Sequence, residues 1–460
     1  MAGIGFVLRK LMKKRNLTGV LGAYFHASLV SSGPWLFTVI ALGSFFFIFK
    51  SWPILEDIED FRIIILYNFS FSLVLASPIS ILATRYLADC LYKKDVSEAP
   101  GMLIGAMILL YLLGIPIASL FYLGYAKFSW PLSLMAIANF QIITGIWLIS
   151  VFISAVRYYK TVTFSFIFGL TIAVAAATYL GIFLGSFGML LGFTIGLSCI
   201  LASLIALVFT EYPKECRNLF NFMSYLGSYW DLALGGLAYN TAIWVDKWIM
   251  WFAPEAEVLP NRLVMYPTYD APMFAAYLTI VPGMAMFVLT QETAFFEVYV
   301  RYYRSIQEHG SLKKIISEYK ALIESVFYSG RNLLLLQCFI CILTLLLAPR
   351  IFEWTGMNLM QMGIFRFGVL GSSFQILTVY LVILLSYFDY RKGALCIQLV
   401  FLFTNTIFTF ISMNLGFSFY GYGYFLSALT SFLFAAILAE TYMQKLPYHT
   451  FVTTNTSVRN

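Results

Sequence analysis

An aspartate and a lysine stand side by side in the apolar run DLALGGLAYNTAIWVDKWIMW, Asp231 to Trp251. A charge at the centre of a membrane helix costs about 2.5–3.5 kcal/mol on insertion scales, so Asp246 and Lys247 need a purpose. A carboxylate there can take a cation or a proton, and an ammonium can hold a carboxylate or an anion. Adjacent helical positions point about 100° apart, so the two side chains are expected to have different partners. Asp270 and Arg366 begin the later apolar runs 268–292 and 362–388 and fall at a similar depth. Asp246, Lys247, Asp270 and Arg366 are therefore candidates to line or gate a path through the protein. The competing reading for each is a helix-end anchor or an interhelical ion pair, as it is for Arg85, Glu292 and Asp389 near the opposite ends of their runs.

Other residues could act on a substrate rather than an ion. Trp244, Trp248 and Trp251 recur at i, i+4 and i+7 on one helix face. Trp248 and Trp251 suit the outer interface, where tryptophan anchors helices, whereas the deeper Trp244 offers a stacking platform to a sugar ring. Asn240 lies near mid-span. Asn68, Asn139, Gln141, Gln375 and Asn405 are neutral groups in other runs, able to bond across helices or to a hydroxyl-rich substrate. In the first run, HASLVSSGPW sets Ser28 and Ser32 one turn apart just before Pro34. The proline removes the bond to the Val30 carbonyl and kinks the helix. Gly33 tolerates the angles this imposes, and a serine hydroxyl can satisfy the freed carbonyl. Ser28, Ser32 and Pro34 read as a path-lining hinge, or as a kink made for packing alone.

Patterns for catalysis are missing. The sequence has no GxxxxGK[ST] and no Gly-Lys pair, no HExxH and no GxSxG, and its three histidines, His26, His309 and His449, are scattered. Cys338 and Cys341 form a CxxC within an apolar run, without the second pair or histidines of a zinc site. No enzyme, no metal and no cofactor are expected.

The elements that must position these residues follow from composition. The chain has 460 residues, of which 61% are hydrophobic and 11% charged. That is too little polar surface to cover a soluble domain. We read twelve spans of mostly apolar residues, at 23–49, 61–86, 102–126, 131–156, 162–184, 187–210, 228–253, 268–292, 331–349, 362–388, 393–413 and 420–443. The first is expected to be an uncleaved span rather than a signal peptide. Basic residues cluster in alternate connections, which places both termini in the cytoplasm. The net charge of +7 is thus a topology signal and not a nucleic-acid stripe.

The expected fold is an all-α polytopic membrane protein of two six-helix lobes. The expected segments are an amphipathic cytoplasmic N-terminus at 1–22, a first lobe at 23–210, a linker at 211–227, a second lobe at 228–444 and a tail at 445–460. Within the second lobe, 293–330 shows apolar residues at helical spacing with lysines between them. It reads as a helix lying on the inner leaflet, or as a docking site for a cytosolic partner through Lys313, Lys314 and Lys320.

Particular stretches are also familiar. The opening MAGIGFVLRKL, then SSGPW, ATRYLAD and above all YDAPMFAAYLTIVPGMAMFVLTQETAFFEVYVRYY, Tyr269 to Tyr303, resemble the PelG family of exopolysaccharide transporters. The resemblance implies a twelve-helix, two-lobed, V-shaped flippase fold with alternating access in a bacterial inner membrane. It implies an N-acetylhexosamine-rich polymer as substrate. It also implies a cytosolic glycosyltransferase and other inner-membrane proteins, one sensing cyclic di-GMP, as partners. No family site residues are carried over. The scarcity of deep charges suits a neutral polymer. With no buried carboxylate pair visible in the sequence, a push from polymerisation is favoured over an ion gradient. A flippase for lipid-linked oligosaccharide, a drug antiporter of the same fold and a non-transporting scaffold for a synthase remain as alternatives.

Overall fold

The computed structural model describes residues 58–153, 159–212, 216–291 and 295–453. The first apolar run, with Ser28, Ser32 and Pro34, lies outside these residues, as does Glu292. Nine helices among the described residues are long and apolar enough to cross a membrane. Contacts sort residues 58–244 and Trp251–Tyr266 into one unit, and Val245–Met250 with 267–453 into a second.

The first unit is built from α1 (Ile58–Lys93), α2 (Ala99–Ser119), α3 (Trp130–Ile153), α4 (Tyr159–Glu211) and most of α5 (Tyr225–Met250). α4 carries two of the expected spans. They fold back on each other at Gly185, whose φ of 59° and ψ of −144° are open only to glycine. The returning arm presents Gly188, Gly192 and Gly196, where an added Cβ would strike the backbone of Leu180, Ala176 and Ala173. Small residues on both arms therefore let the two backbones touch, the packing that apolar surroundings reward. α2 continues into a π-helical turn, Leu120–Tyr125. One departure from all-α expectation is a two-stranded antiparallel hairpin, β1 (Glu257–Val258) with β2 (Val264–Met265), in register Glu257↔Met265.

The second unit centres on α10 (Met362–Tyr387), which packs against α6 (Pro267–Tyr277), α9 (Leu312–Thr355), α11 (Arg391–Leu415) and α12 (Tyr422–Gln444). The expected span 268–292 is interrupted. α6 ends at Tyr277, and α7 (Ile280–Thr290) resumes after a turn in which Gln337 of α9 donates to the Thr279 carbonyl at 3.3 Å.

Of the expected segment 293–330, residues 295–330 do not form a separate surface helix. α8 (Phe296–Gln307) packs on α9, and α9 runs unbroken for 44 residues, capped at its start by Ser311, through the charged stretch and into the span. Its inner face, with Ile315 and Leu322, closes a core with Phe295, Tyr302, Leu384, Phe388, Met443 and Leu446. Tyrosines lock that core, Tyr319 donating to the Met443 carbonyl at 2.9 Å and Tyr380 to the Val326 carbonyl at 2.7 Å. The apolar spacing read as a membrane-facing stripe is thus a protein-facing one.

Candidate functional site

Among its described residues the second unit buries three charged side chains, Asp246, Lys247 and Asp270. Asp246 and Lys247 are 0% and 1% exposed. Against the expectation of separate partners, they pair with each other, Lys247 Nζ lying 3.2 Å from Oδ1 and 3.1 Å from Oδ2 of Asp246. The lysine stem is long enough to fold back over the 100° between adjacent positions. The Tyr269 hydroxyl also donates to Asp246 Oδ2 at 3.1 Å. On its other side the ammonium stands 4.4 Å from the centroid of the Tyr277 ring, a cation–π contact.

Around this pair the unit supplies neutral polar groups from three helices. Tyr277 closes α6 and lies 5.4 Å, ring to ring, from Tyr424 in the first turn of α12. The Tyr424 hydroxyl donates to Gln375 Oε1 on α10 and lies 3.5 Å from Ser372 Oγ. Asp270, in the first turn of α6, is buried beside Tyr269, which lies within electrostatic reach of both carboxylates. Two buried carboxylates are therefore present where the sequence showed none as a pair. Arg366 does not join them and is exposed on α10.

The first unit carries a network of neutral polar groups in its interior. Asn68 donates to the Ala136 carbonyl at 3.0 Å and to Asn139 Oδ1 at 2.8 Å, and accepts from the Tyr122 hydroxyl at 2.7 Å. Asn139 in turn donates to Thr194 Oγ1 at 3.0 Å. Asn68 and Asn139 thus bond across helices, one of the two uses expected for them. The π-helical turn is what brings Tyr122 to this network. Gln141 lies against Gly114, with neither amide atom hydrogen-bonded among the described residues. Asn405 accepts from Thr409 on its own helix.

Elsewhere in that unit, Trp251 is buried and stacks on Tyr67 at 4.6 Å, so it is no interfacial anchor. Trp244 is buried as well, and Asn240 donates to the Gly236 carbonyl at 3.0 Å within its own helix. Glu98 gathers the loop ahead of α2 and the connection ahead of α5. It accepts from Tyr86, from Asn218 at 2.6 Å and from Asn221 at 3.2 Å. The Tyr86 hydroxyl first, then the Asn218 amide, hold its carboxyl below the usual glutamate range.

Lys313, Lys314 and Lys320 are exposed on the first turns of α9, with Leu312 and Phe327 71% and 68% exposed nearby. Sequence reasoning missed Tyr269, Tyr277 and Tyr424. Thirty tyrosines hide three, although the adjacency of Tyr269 to Asp270 was a usable signal.

The PelG family, described as an exopolysaccharide exporter (EPS-E), matches residues 1–451. Curated proteins give no match. Among solved structures, the chain is similar to an outward-facing multidrug resistance MATE family transporter of the MOP superfamily. The TM-score is 0.61 at 12% identity, over 93% of this chain and 96% of the other. A MATE transporter in complex with MaL6 gives 0.59 at 11% identity, over 91% and 97%. A MOP superfamily transporter from Pyrococcus furiosus gives 0.51 at 13%, over 96% and 94%. These likenesses are of fold, and both the fold and the family are those of transporters. With the family matched over nearly its whole length, this multi-pass membrane chain belongs to the PelG family of exopolysaccharide exporters.

Proposed function

We propose that the chain moves a neutral, N-acetylhexosamine-rich polysaccharide from the cytoplasm across the bacterial inner membrane, with both termini cytoplasmic. The observation that carries this reading beyond the family is the charge closure at Asp246. A drug antiporter of the same fold would need a carboxylate open to a cation, whereas this carboxylate is held by its own chain's ammonium and by Tyr269. A neutral polymer needs hydroxyls and amides instead, the groups that surround the pair. Inside-out vesicles carrying this chain, its synthase partners and a nucleotide-sugar donor test the reading. Polymer should accumulate in the lumen, protected from an added hydrolase. Polymer that stays outside and is digested overturns it.

The partners in this reading are a cytosolic glycosyltransferase and other inner-membrane proteins of the same system. The exposed face of α9, with Lys313, Lys314 and Lys320, is the docking surface we assign to the transferase. Deleting the segment would be a poor test, since Ile315 and Leu322 belong to the core. Reversing the three exposed lysines to glutamate leaves that core intact and should abolish co-purification of the transferase.

A further inference from the structure

Lys247 pairs its charge with groups of the second unit. The ammonium is 1% exposed, has two carboxylate oxygens within 3.2 Å and meets the face of Tyr277. Its surroundings are those a monovalent cation would choose: a carboxylate, a phenolic oxygen on that carboxylate and an aromatic face. All of these groups belong to one unit.

From this we infer that Lys247 is a built-in counter-cation, tethered by its own side chain where an exchangeable sodium or potassium ion would otherwise sit. A covalently held charge can neither be supplied by a gradient nor released to the other side. The consequence is that Asp246 does not couple export to monovalent cations. The work of moving polymer then comes from a source other than a sodium or potassium gradient acting at Asp246. The binding side of this inference stands on the geometry alone, and only its transport side rests on the exporter reading.

The first experiment measures thermal unfolding of the purified full chain in sodium, potassium or N-methylglucamine chloride at one ionic strength. The wild-type chain should unfold at the same temperature in all three. Lys247→Met empties the place of the ammonium while keeping Asp246, and should gain a sodium- or potassium-dependent rise of about 2–5 °C. Adding Asp246→Asn to that variant should remove the rise. A wild-type response to sodium or potassium that Asp246→Asn or Asp270→Asn abolishes would overturn the inference. So would a folded Lys247→Met chain with no such response.

If Lys247→Met does not fold, the wild-type chain decides alone in the synthesising vesicles. Protected polymer should form at an unchanged rate after ionophores collapse the sodium and potassium gradients. A severalfold loss overturns the inference, whereas absence of protected polymer under every condition would instead count against the exporter reading.

Discussion

At Asp246 and Lys247, residue type was readable and direction was not. The sequence marked both as costly and worth explaining, and the 100° between neighbours argued for separate partners. Four methylenes in the lysine stem overrode that angle. A buried ion pair is stable only as a pair, because removing one member leaves the other charged and desolvated. Asp246→Asn should therefore cost about 3–5 kcal/mol, read as a lowered midpoint of unfolding. Asp246→Asn with Lys247→Met removes both charges and should recover most of that loss. A double variant as unstable as the single one would show that the two groups are not coupled. Glu98 makes a different residue-scale prediction. Its folded-state pKa lies below the ordinary glutamate value of about 4.3, so its contacts stabilise the folded chain above that value. The stabilisation is lost as pH falls through the lower, folded value. Hydrogen–deuterium exchange in 216–224, corrected for intrinsic rates, should rise on acidification in the wild-type chain and be high and pH-independent in Glu98→Ala.

Helices were the legible element, because runs of about 20 apolar residues leave few alternatives. Their interruptions were less so. The bend at Gly185 fell between two spans and was foreseen as a loop. The break after Tyr277 was not, since no proline or glycine occupies Leu278 or Thr279. The close contact of the α4 arms depends on residues that a hydropathy reading treats as filler. Gly192→Leu should separate the arms and sharply lower the yield of folded protein, whereas Gly124→Leu, at an exposed position with a single side-chain contact at 3.8 Å, should not. For the 293–330 stretch the sequence left two readings open, a helix on the inner leaflet and a docking site. Helical periodicity reports that a face is apolar, not what covers it, and here the cover is the ends of α10 and α12. Ser329→Pro, between the charged part of α9 and its span, should cost about 3 kcal/mol through the broken helix. It should also loosen the Tyr380 contact with Val326, detected as faster exchange around that turn.

For the whole molecule, the sequence carried family and fold, in agreement with the match over residues 1–451. It could not order the intramembrane polar residues into those that meet each other and those that do not. Asp246, Lys247 and Asp270 belong to one buried neighbourhood, while Arg366 is exposed, and depth along a helix cannot separate the two cases. α9 has a consequence at this scale. Residues 332–349 carry no charge and are long enough for the hydrocarbon layer, so the 20 residues from Leu312 to Arg331 extend roughly 30 Å beyond it as the same rod. A stiff rod transmits tilt without loss. Whatever binds its tip is mechanically geared to the span at its other end, so a transferase seated there would feel each reorientation of that span as a displacement, and its grip on the growing polymer would be timed by the exporter itself.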